Sequence, residues 1–214
     1  MLAEPTIHGD LPTLYALPLK IDHQQMAPTS TEIRAEIQEQ AQAHYRGLEF
    51  TYDDFEAILS AVSKLNEIRT TDDSYFVLGS YADDAELRLE TIRNQLDNRS
   101  GARAVLMKDV AEEWEHSYPK FRLIADFATY LVGVAEHRCG GFLVEMGYFA
   151  AIDDYFAKTY VCKLAYPNNG IRETTRKYPF SWMQIGIFDL LSEEQRLLVW
   201  DSEDALEICT TRIP

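Results

Sequence analysis

The sequence contains few cysteines and none of the spacings that would join them into a site. Its 214 residues include three, Cys139, Cys162 and Cys209, which lie far apart and form no Cys-x-x-Cys pair. This pattern, without histidines at ligand spacing, argues against a disulfide scaffold and against a structural zinc site. We therefore predict a protein of a reducing compartment, the cytoplasm, with no structural metal ion.

Basic residues are also scarce, since 20 Lys and Arg stand against 35 Asp and Glu and give a formal net charge of −15. A surface this acidic repels nucleic-acid phosphates and anionic lipid headgroups, and no stretch of the sequence forms a basic patch. The uncharged stretches are far shorter than the roughly 18 to 20 residues that span a membrane. The charge pattern thus excludes polynucleotides and membranes as partners. A small phosphorylated metabolite stays compatible, because one helix N-terminus can hold it.

Several motifs that bind cofactors or perform hydrolysis are absent. The sequence has no Gly-x-Ser-x-Gly elbow, no Gly-x-x-x-x-Gly-Lys-Ser/Thr loop, no Gly-x-Gly-x-x-Gly fingerprint and no His-Glu-x-x-His helix. We interpret three pairs of neighbouring aspartates as helix starts or surface acids rather than metal ligands: Asp53 and Asp54, Asp83 and Asp84, Asp153 and Asp154. The sequence therefore predicts no cofactor.

What is present is a change of hydrophobic period near residue 72. Residues 1–30 are interrupted by prolines and show no period, which is typical of an extended arm. Two helices are predicted next, at about 31–46 and 52–69, and the second carries apolar residues at helical spacing. The polar residues 70–74 then mark a boundary. We predict that residues 1–72 form an extended arm and a helical appendage, and that residues 73–214 form the main domain.

In the main domain, short apolar strands alternate with helices. The strands are predicted at 75–80, 102–107, 130–135, 160–165 and 197–200, and the helices at 83–98, 119–127, 142–157, 179–191 and 202–209. Strands that are apolar on both faces, joined by helical crossovers, indicate a parallel sheet covered on both sides. We predict an α/β fold, a Rossmann-like five-stranded parallel sheet with helices on both faces.

Ligands bind beyond the carboxyl ends of the strands in such sheets. The helix predicted after the third strand begins at Gly140 and Gly141 and carries Glu145 near its start. The helical neighbours of Glu145 include Tyr148 and Phe149, so its carboxylate is predicted to lie on an apolar face, ionised by the helix dipole. Burial of a carboxylate there is costly unless the group is used. Glu145 is therefore either a nucleophile or general base, or a residue that only satisfies its own helix start.

Three segments together resemble the nucleoside 2-deoxyribosyltransferase superfamily, which includes the 2′-deoxynucleoside 5′-phosphate N-hydrolases. They are a first strand ending in Gly79-Ser80, the pair Ala125-Asp126, and the run Gly141-Phe-Leu-Val-Glu145-Met-Gly-Tyr. The resemblance covers about residues 75–165. It implies cleavage or transfer at the N-glycosidic bond of a nucleoside or nucleotide, and a homo-oligomer.

By position in these motifs, Glu145 takes the role of nucleophile, and Asp126 is a second candidate catalytic residue. Tyr81 and Trp182 are candidates for stacking on a base, and Cys139 stands where the family contacts sugar or phosphate. The candidate substrate-binding residues are Gly79, Ser80, Tyr81, Asp109, Cys139, Gly140, Gly141 and Trp182.

The sequence departs from the family at the second acid, which assists the leaving base. That region here reads Ser117-Tyr-Pro119. Two alternatives therefore stay open. One is a non-catalytic protein that binds a nucleotide as a sensor. The other is a dinucleotide-cleaving domain of the Toll/interleukin-receptor-like kind, which also carries a helix glutamate over a parallel sheet.

Overall fold

The computed structural model describes residues 29–82, 84–136, 141–166 and 180–214, and the predicted arm, residues 1–28, lies outside them. Five parallel strands form one sheet in the order β2-β1-β3-β4-β5. The strands are β1 (Asp73–Leu78), β2 (Ala102–Val105), β3 (Tyr130–Ala135), β4 (Thr159–Leu164) and β5 (Leu197–Trp200). The predicted α/β fold with a five-stranded parallel sheet is therefore confirmed.

Eight α-helices are described, two before the sheet and six between or after its strands. They are α1 (Ser30–Ala43), α2 (Tyr52–Thr70), α3 (Asp84–Asp97), α4 (Ser117–Phe127), α5 (Gly141–Ala150), α6 (Asp153–Ala157), α7 (Trp182–Glu193) and α8 (Glu203–Thr210). A single 3₁₀ turn, Met107–Asp109, follows β2. No helix among the described residues is both long enough and apolar enough to cross a membrane.

The strands are apolar on both faces because each face is covered by helices. Along β1, Phe76 and Leu78 lie in a core shared with α1, α2, α4, α5 and α7. Tyr75 and Val77, which alternate with them, lie in a second core shared with α3 and α8. This alternation is the period of two expected of a strand with two buried faces.

The two N-terminal helices belong to the first of these cores. Ile37 of α1 and Ile58 and Leu65 of α2 are fully buried in it. Each helix begins with a capping box, in which the hydroxyl of Thr29 or Thr51 accepts from the backbone N–H three residues later. The chain passes from α2 into β1 within three residues. The division into an appendage, 1–72, and a domain, 73–214, stays a prediction.

The helix predicted at 142–157 is in fact two helices, α5 and α6. The last turn of α5 tightens, because the N–H groups of Ala151 and Ile152 bond to carbonyls only three residues back, at 3.2 and 3.1 Å. Ile152 is then extended, with φ −129° and ψ 110°, and caps α6. No glycine or proline marks this break, and the local signal is the pair Asp153 and Asp154, interpreted from the sequence as a helix start or surface acids, which opens α6.

The start of α5 is fixed by close packing against β3. A Cβ atom built on Gly133 would lie 1.9 Å from the ring of Phe142, in the first turn of α5. The glycine therefore lets the Phe142 ring rest directly on the strand backbone. This contact seats the beginning of α5 at the carboxyl edge of the sheet.

Candidate functional site

A cavity of about 260 Å³ lies at the carboxyl edge of the sheet, where α4 and α5 begin. Both helices start there because each follows a strand, α4 after β2 and α5 after β3. The order β2-β1-β3 places a reversal of strand order next to this edge, where α/β sheets bind ligands. The cavity is lined by Met107, Ser117, Tyr118, Phe121, Val144, Glu145 and Tyr148.

Glu145 lies in the second turn of α5 and is one of the residues that line this cavity. Its Oε2 atom is buried and has no hydrogen-bond partner among the described residues. Burial raises the pKa of the Glu145 carboxyl to about 7. The prediction that the helix dipole keeps the group ionised is therefore wrong. The dipole acts within the first turn, and here desolvation outweighs it.

Tyr148 lies one turn further along the same face of α5. Its hydroxyl oxygen is also buried without a hydrogen-bond partner among the described residues. The ring is held by edge-on contacts with Tyr118 and Phe121, at centroid distances of 6.1 and 5.9 Å. The guanidinium of Arg122 lies over the ring, 5.1 Å from its centroid. Two residues that line the cavity thus each carry a buried polar atom with no partner in the part of the chain that the structure describes.

Tyr81 follows β1 and stands close to the same cavity. Its hydroxyl accepts a hydrogen bond from the backbone N–H of Met107 at 3.2 Å, and 41% of the residue is exposed. Burial of the hydroxyl, and the nearby charge of Glu145, raise the pKa of Tyr81 to about 12. Of the predicted substrate-binding residues, Tyr81 is the one whose electrostatic coupling to Glu145 is evident.

Three other predicted residues serve local structure at the same edge. A Cβ on Gly79 would lie 2.6 Å from Leu89 Cδ2, so this glycine admits α3 against the sheet. Ser80 Oγ accepts from the N–H of Ala82 at 3.3 Å. Asp109 accepts from the N–H of Leu106 at 2.9 Å and closes the turn after β2. Each is engaged within the protein, and none of the three lines the cavity.

Asp126 is not brought together with Glu145. It lies nine residues after Ser117, so about 14 Å further along α4, at the amino edge of the sheet. Its carboxylate accepts from Tyr155 and pairs with His44 Nε2 at 2.7 Å. These bonds lower the pKa of Asp126 although burial opposes them. Its position ties α1, α4 and α6 together and gives no access to the cavity.

The remaining predicted residues either do not line the cavity or lie outside the residues that the structure describes. Cys139 and Gly140 lie outside the described residues, and Gly141 is the first residue of α5. Trp182 begins α7 and is 64% exposed, but it does not line the cavity.

Sequence reasoning named the α4 side of the cavity only as the region, Ser117-Tyr-Pro119, where the family resemblance implies a second acid, and it predicted no site residue there. Ser117, Tyr118 and Phe121 come beside Glu145 because β1 lies between β2 and β3, an order that hydrophobic periodicity does not reveal. Pro119 at an early helical position was the available signal, since it places the start of α4 near the carboxyl end of β2.

An ion pair that was also not predicted lies at the end of β3. Arg88 of α3 binds the carboxylate of Glu136 with two nitrogens, and its Nη2 lies 3.2 Å from Oε2. The Glu136 backbone carbonyl accepts from the hydroxyl of Tyr166. The Glu136 carboxylate neutralises the charge of Arg88, so Arg88 is not available to bind an anion.

A larger cavity, about 620 Å³, lies beside α2 and is acidic. Asp54 is its buried carboxylate, and it accepts from Thr51 Oγ1 and pairs with His116 Nδ1, both at 2.7 Å. Among the described residues, no three His, Cys, Asp or Glu side chains are placed to hold a metal ion. We take the smaller cavity as the candidate site, because Glu145 Oε2 and the Tyr148 hydroxyl have no partner among the described residues, whereas Asp54 is hydrogen-bonded.

Comparison with known proteins identifies a family but no function. No curated protein and no solved structure matches the chain. A family model described as "Family of unknown function (DUF8170)" matches residues 25–178, which is well over half of the chain and includes α1 to β4 and both sides of the cavity. The protein therefore belongs to this family of unknown function, DUF8170.

Proposed function

We propose that this protein cleaves or transfers at the N-glycosidic bond of a nucleoside or nucleotide, with Glu145 as the nucleophile. The observation that carries the proposal is the carboxyl group of Glu145, a residue that lines the cavity and whose Oε2 atom is buried with no hydrogen-bond partner among the described residues. A buried carboxyl oxygen without a hydrogen-bond partner destabilises the folded protein by about 1–3 kcal/mol. A reacting sugar is a ligand that would use it.

The chemistry follows from the surroundings of the carboxyl group. A pKa of about 7 leaves about half of the Glu145 carboxyls ionised at neutral pH. The ionised form attacks the anomeric carbon, the bond to the base breaks, and a glycosyl ester forms on the carboxylate. Water or a second base then releases the sugar. The ring of Tyr118, a lining residue that is 37% exposed, is one on which a base can stack.

One observation favours the second candidate, a nucleotide-binding sensor without turnover. Among the described residues that line the cavity, Glu145 is the only carboxylate. A site with one acid lacks the usual partner that protonates the leaving base. A sensor would show a rise in melting temperature with a nucleoside or nucleotide and release no base.

The experiment incubates the protein with ribonucleosides, deoxyribonucleosides, their 5′-phosphates and nicotinamide dinucleotides, and measures free base by chromatography. We expect base release by the wild type and its loss in Glu145→Gln. Glu207→Gln is the matched control, because Glu207 is exposed on α8, on the opposite face of the sheet. If the wild type and both variants release no base from any compound, the proposal is contradicted. Release from the dinucleotide alone would favour the Toll/interleukin-receptor-like alternative.

The homo-oligomer and the cytoplasmic location remain parts of this proposal, supported by the family resemblance and by the scarcity of cysteine. Sedimentation equilibrium tests the first, with a mass above the 24.6 kDa of one chain expected.

A further inference from the structure

Two residues that line the cavity, Glu145 and Tyr148, each carry a buried polar atom with no partner among the described residues, and the proposed reaction uses only one of these atoms. Glu145 Oε2 has a role as nucleophile, whereas the hydroxyl of Tyr148 has none. The two residues are three positions apart on α5, so their side chains leave the helix about 5–6 Å from each other on the same face.

Packing alone does not account for the Tyr148 hydroxyl. The ring is held by Tyr118 and Phe121, and a phenylalanine would make the same ring contacts. The hydroxyl adds a donor that is buried and unsatisfied, which costs about 1–3 kcal/mol. A ligand that accepts a hydrogen bond beside Glu145 would remove this cost.

The proposed reaction needs such a donor. When the bond between the anomeric carbon and the base breaks, the bonding electron pair leaves with the base, which becomes a poor leaving group unless it is protonated. Glu145 is the only carboxylate among the described residues that line the cavity, and it acts as the nucleophile. The remaining hydroxyls of the lining are those of Ser117, Tyr118 and Tyr148.

We propose that Tyr148 is the proton donor to the departing base, an inference that rests on the proposed function. As Glu145 bonds to the anomeric carbon, the base leaves with the electron pair and takes the phenolic proton of Tyr148. In the second step a water molecule attacks the glycosyl ester. Its oxygen bonds to the anomeric carbon, its proton returns to the Tyr148 oxygen, and Glu145 leaves as carboxylate.

The position of Arg122 supports this assignment. Its guanidinium lies 5.1 Å from the centroid of the Tyr148 ring and 5.3 Å from that of Tyr155, and its Nη2 is 3.8 Å from the Asp126 carboxylate, which offsets part of its charge. A positive charge over the ring stabilises the negative charge that develops on the phenolic oxygen as the proton leaves. Tyr148 therefore combines a buried hydroxyl with the Arg122 guanidinium over its ring.

The test compares two classes of substrate in wild type and Tyr148→Phe. Nucleosides release a base that needs a proton, whereas 4-nitrophenyl riboside and its 2-deoxy analogue release an anion that is stable at pH 8. We expect kcat of Tyr148→Phe to fall at least about 100-fold on nucleosides, as loss of a general acid does. We expect less than about a threefold change on the nitrophenyl glycosides.

The control is Tyr160→Phe, because Tyr160 packs with Tyr130 on the opposite face of the sheet. It should match the wild type on both substrate classes. Equal loss on both classes in Tyr148→Phe would show a structural role and overturn the inference, as would no loss on either. If the wild type releases neither base nor nitrophenol, the proposed function itself fails. Melting temperatures of both variants close to that of the wild type establish that they fold.

Discussion

Burial alone does not decide the ionisation of a carboxyl group in this protein, as Glu145 and Asp54 show. Asp54 is 4% exposed, yet its pKa falls to about 2, because Thr51 and His116 donate hydrogen bonds that outweigh desolvation. Glu145 has no such donors at Oε2, and its pKa rises to about 7. The difference between the two residues lies in hydrogen bonding to the charged form.

The raised pKa of Glu145 predicts a pH-dependent effect on stability. The folded protein holds the proton more tightly than the unfolded chain, whose glutamate titrates near 4.5. The stabilising contribution is complete below pH 4.5 and is lost as the pH rises through about 7. Compared with Glu145→Gln, the wild type should therefore lose up to about 3 kcal/mol of unfolding free energy between pH 5 and pH 8. Urea denaturation measures this, and a difference that does not change with pH would refute it.

The close contact of Gly133 with Phe142 predicts the effect of adding one methyl group. Gly133→Ala must displace the Phe142 ring from the strand, at a cost of about 1–3 kcal/mol of unfolding free energy. Gly186→Ala is the matched control, because nothing lies within 4 Å of a Cβ there and α7 should gain up to about 1 kcal/mol. Chemical denaturation gives both values. A neutral Gly133→Ala would mean that α5 is not seated by this contact.

The placement of a candidate site residue was predictable where the signal is local, whereas its role stays a prediction. Glu145 was identified because burial of a carboxylate on an otherwise apolar helix face is energetically costly. The partners of Glu145 were not predictable, since Tyr118 and Phe121 approach it through the order of strands. The sequence could not show that Asp126 lies away from the cavity. That distance depends on the direction in which α4 crosses the sheet, from its carboxyl edge to its amino edge.

At the scale of elements, helix starts are specified by capping and strand limits by apolar runs. The strands predicted at 130–135 and 197–200 have those bounds in the structure. The other three predicted ends were wrong: β1 ends at Leu78 and β4 at Leu164, and β2 ends at Val105, before the 3₁₀ turn. The helix predicted at 179–191 begins later, at Trp182, because Ser181 and Gln184 form a capping box. The division of α5 from α6 was missed, since Ile152 interrupts the helix without a glycine or proline, and the pair Asp153 and Asp154 was interpreted as either a helix start or surface acids.

The capping box of α2 predicts the effect of removing one hydroxyl. In Thr51→Ala, Asp54 loses a donor at 2.7 Å and its backbone N–H loses an acceptor, so stability should fall by about 1 kcal/mol near neutral pH. The loss should shrink as the pH falls from about 4 towards 2, where Asp54 becomes protonated.

The matched control for Thr51→Ala is Thr70→Ala, at the other end of the same helix. Thr70 is exposed and its hydroxyl donates only to the carbonyl of Asn66. Thermal unfolding should show a change within about 0.5 kcal/mol for this variant. If the two substitutions destabilise equally, capping does not set the start of α2.

At the scale of the whole molecule, the N-terminal helices and the sheet share one core. Trp114 lies in this core and donates to the hydroxyl of Tyr45, whereas Trp200 lies in the core on the other face. A shared core predicts that both faces unfold in one transition. The division at residue 72 predicts instead that the helical part unfolds separately.

Fluorine NMR of protein labelled with 5-fluorotryptophan distinguishes these outcomes, because each tryptophan gives its own signal. We expect the Trp114 and Trp200 signals to change at the same urea concentration. A Trp114 transition at clearly lower urea would contradict a single cooperative unit and favour an independent appendage.

The fold class was predictable from the sequence because alternating helices and doubly apolar strands allow few arrangements. The strand order was not, since it depends on contacts between distant elements. The net charge of −15 indicates which partners are repelled and does not identify the ligand. The functional proposal therefore depends on one cavity and on two atoms of its lining residues, Glu145 Oε2 and the Tyr148 hydroxyl oxygen. Neither atom has a hydrogen-bond partner among the described residues.

The central claim, that Glu145 bonds to the anomeric carbon, is tested most directly by trapping the glycosyl ester. A nucleoside with fluorine at the 2-position of the sugar slows release of the ester, and mass spectrometry of the intact protein then detects it. We predict a mass increase of one fluorinated glycosyl group, located on the peptide that contains Glu145 and absent in Glu145→Gln. Base release without any adduct, or an adduct on another residue, would contradict the account.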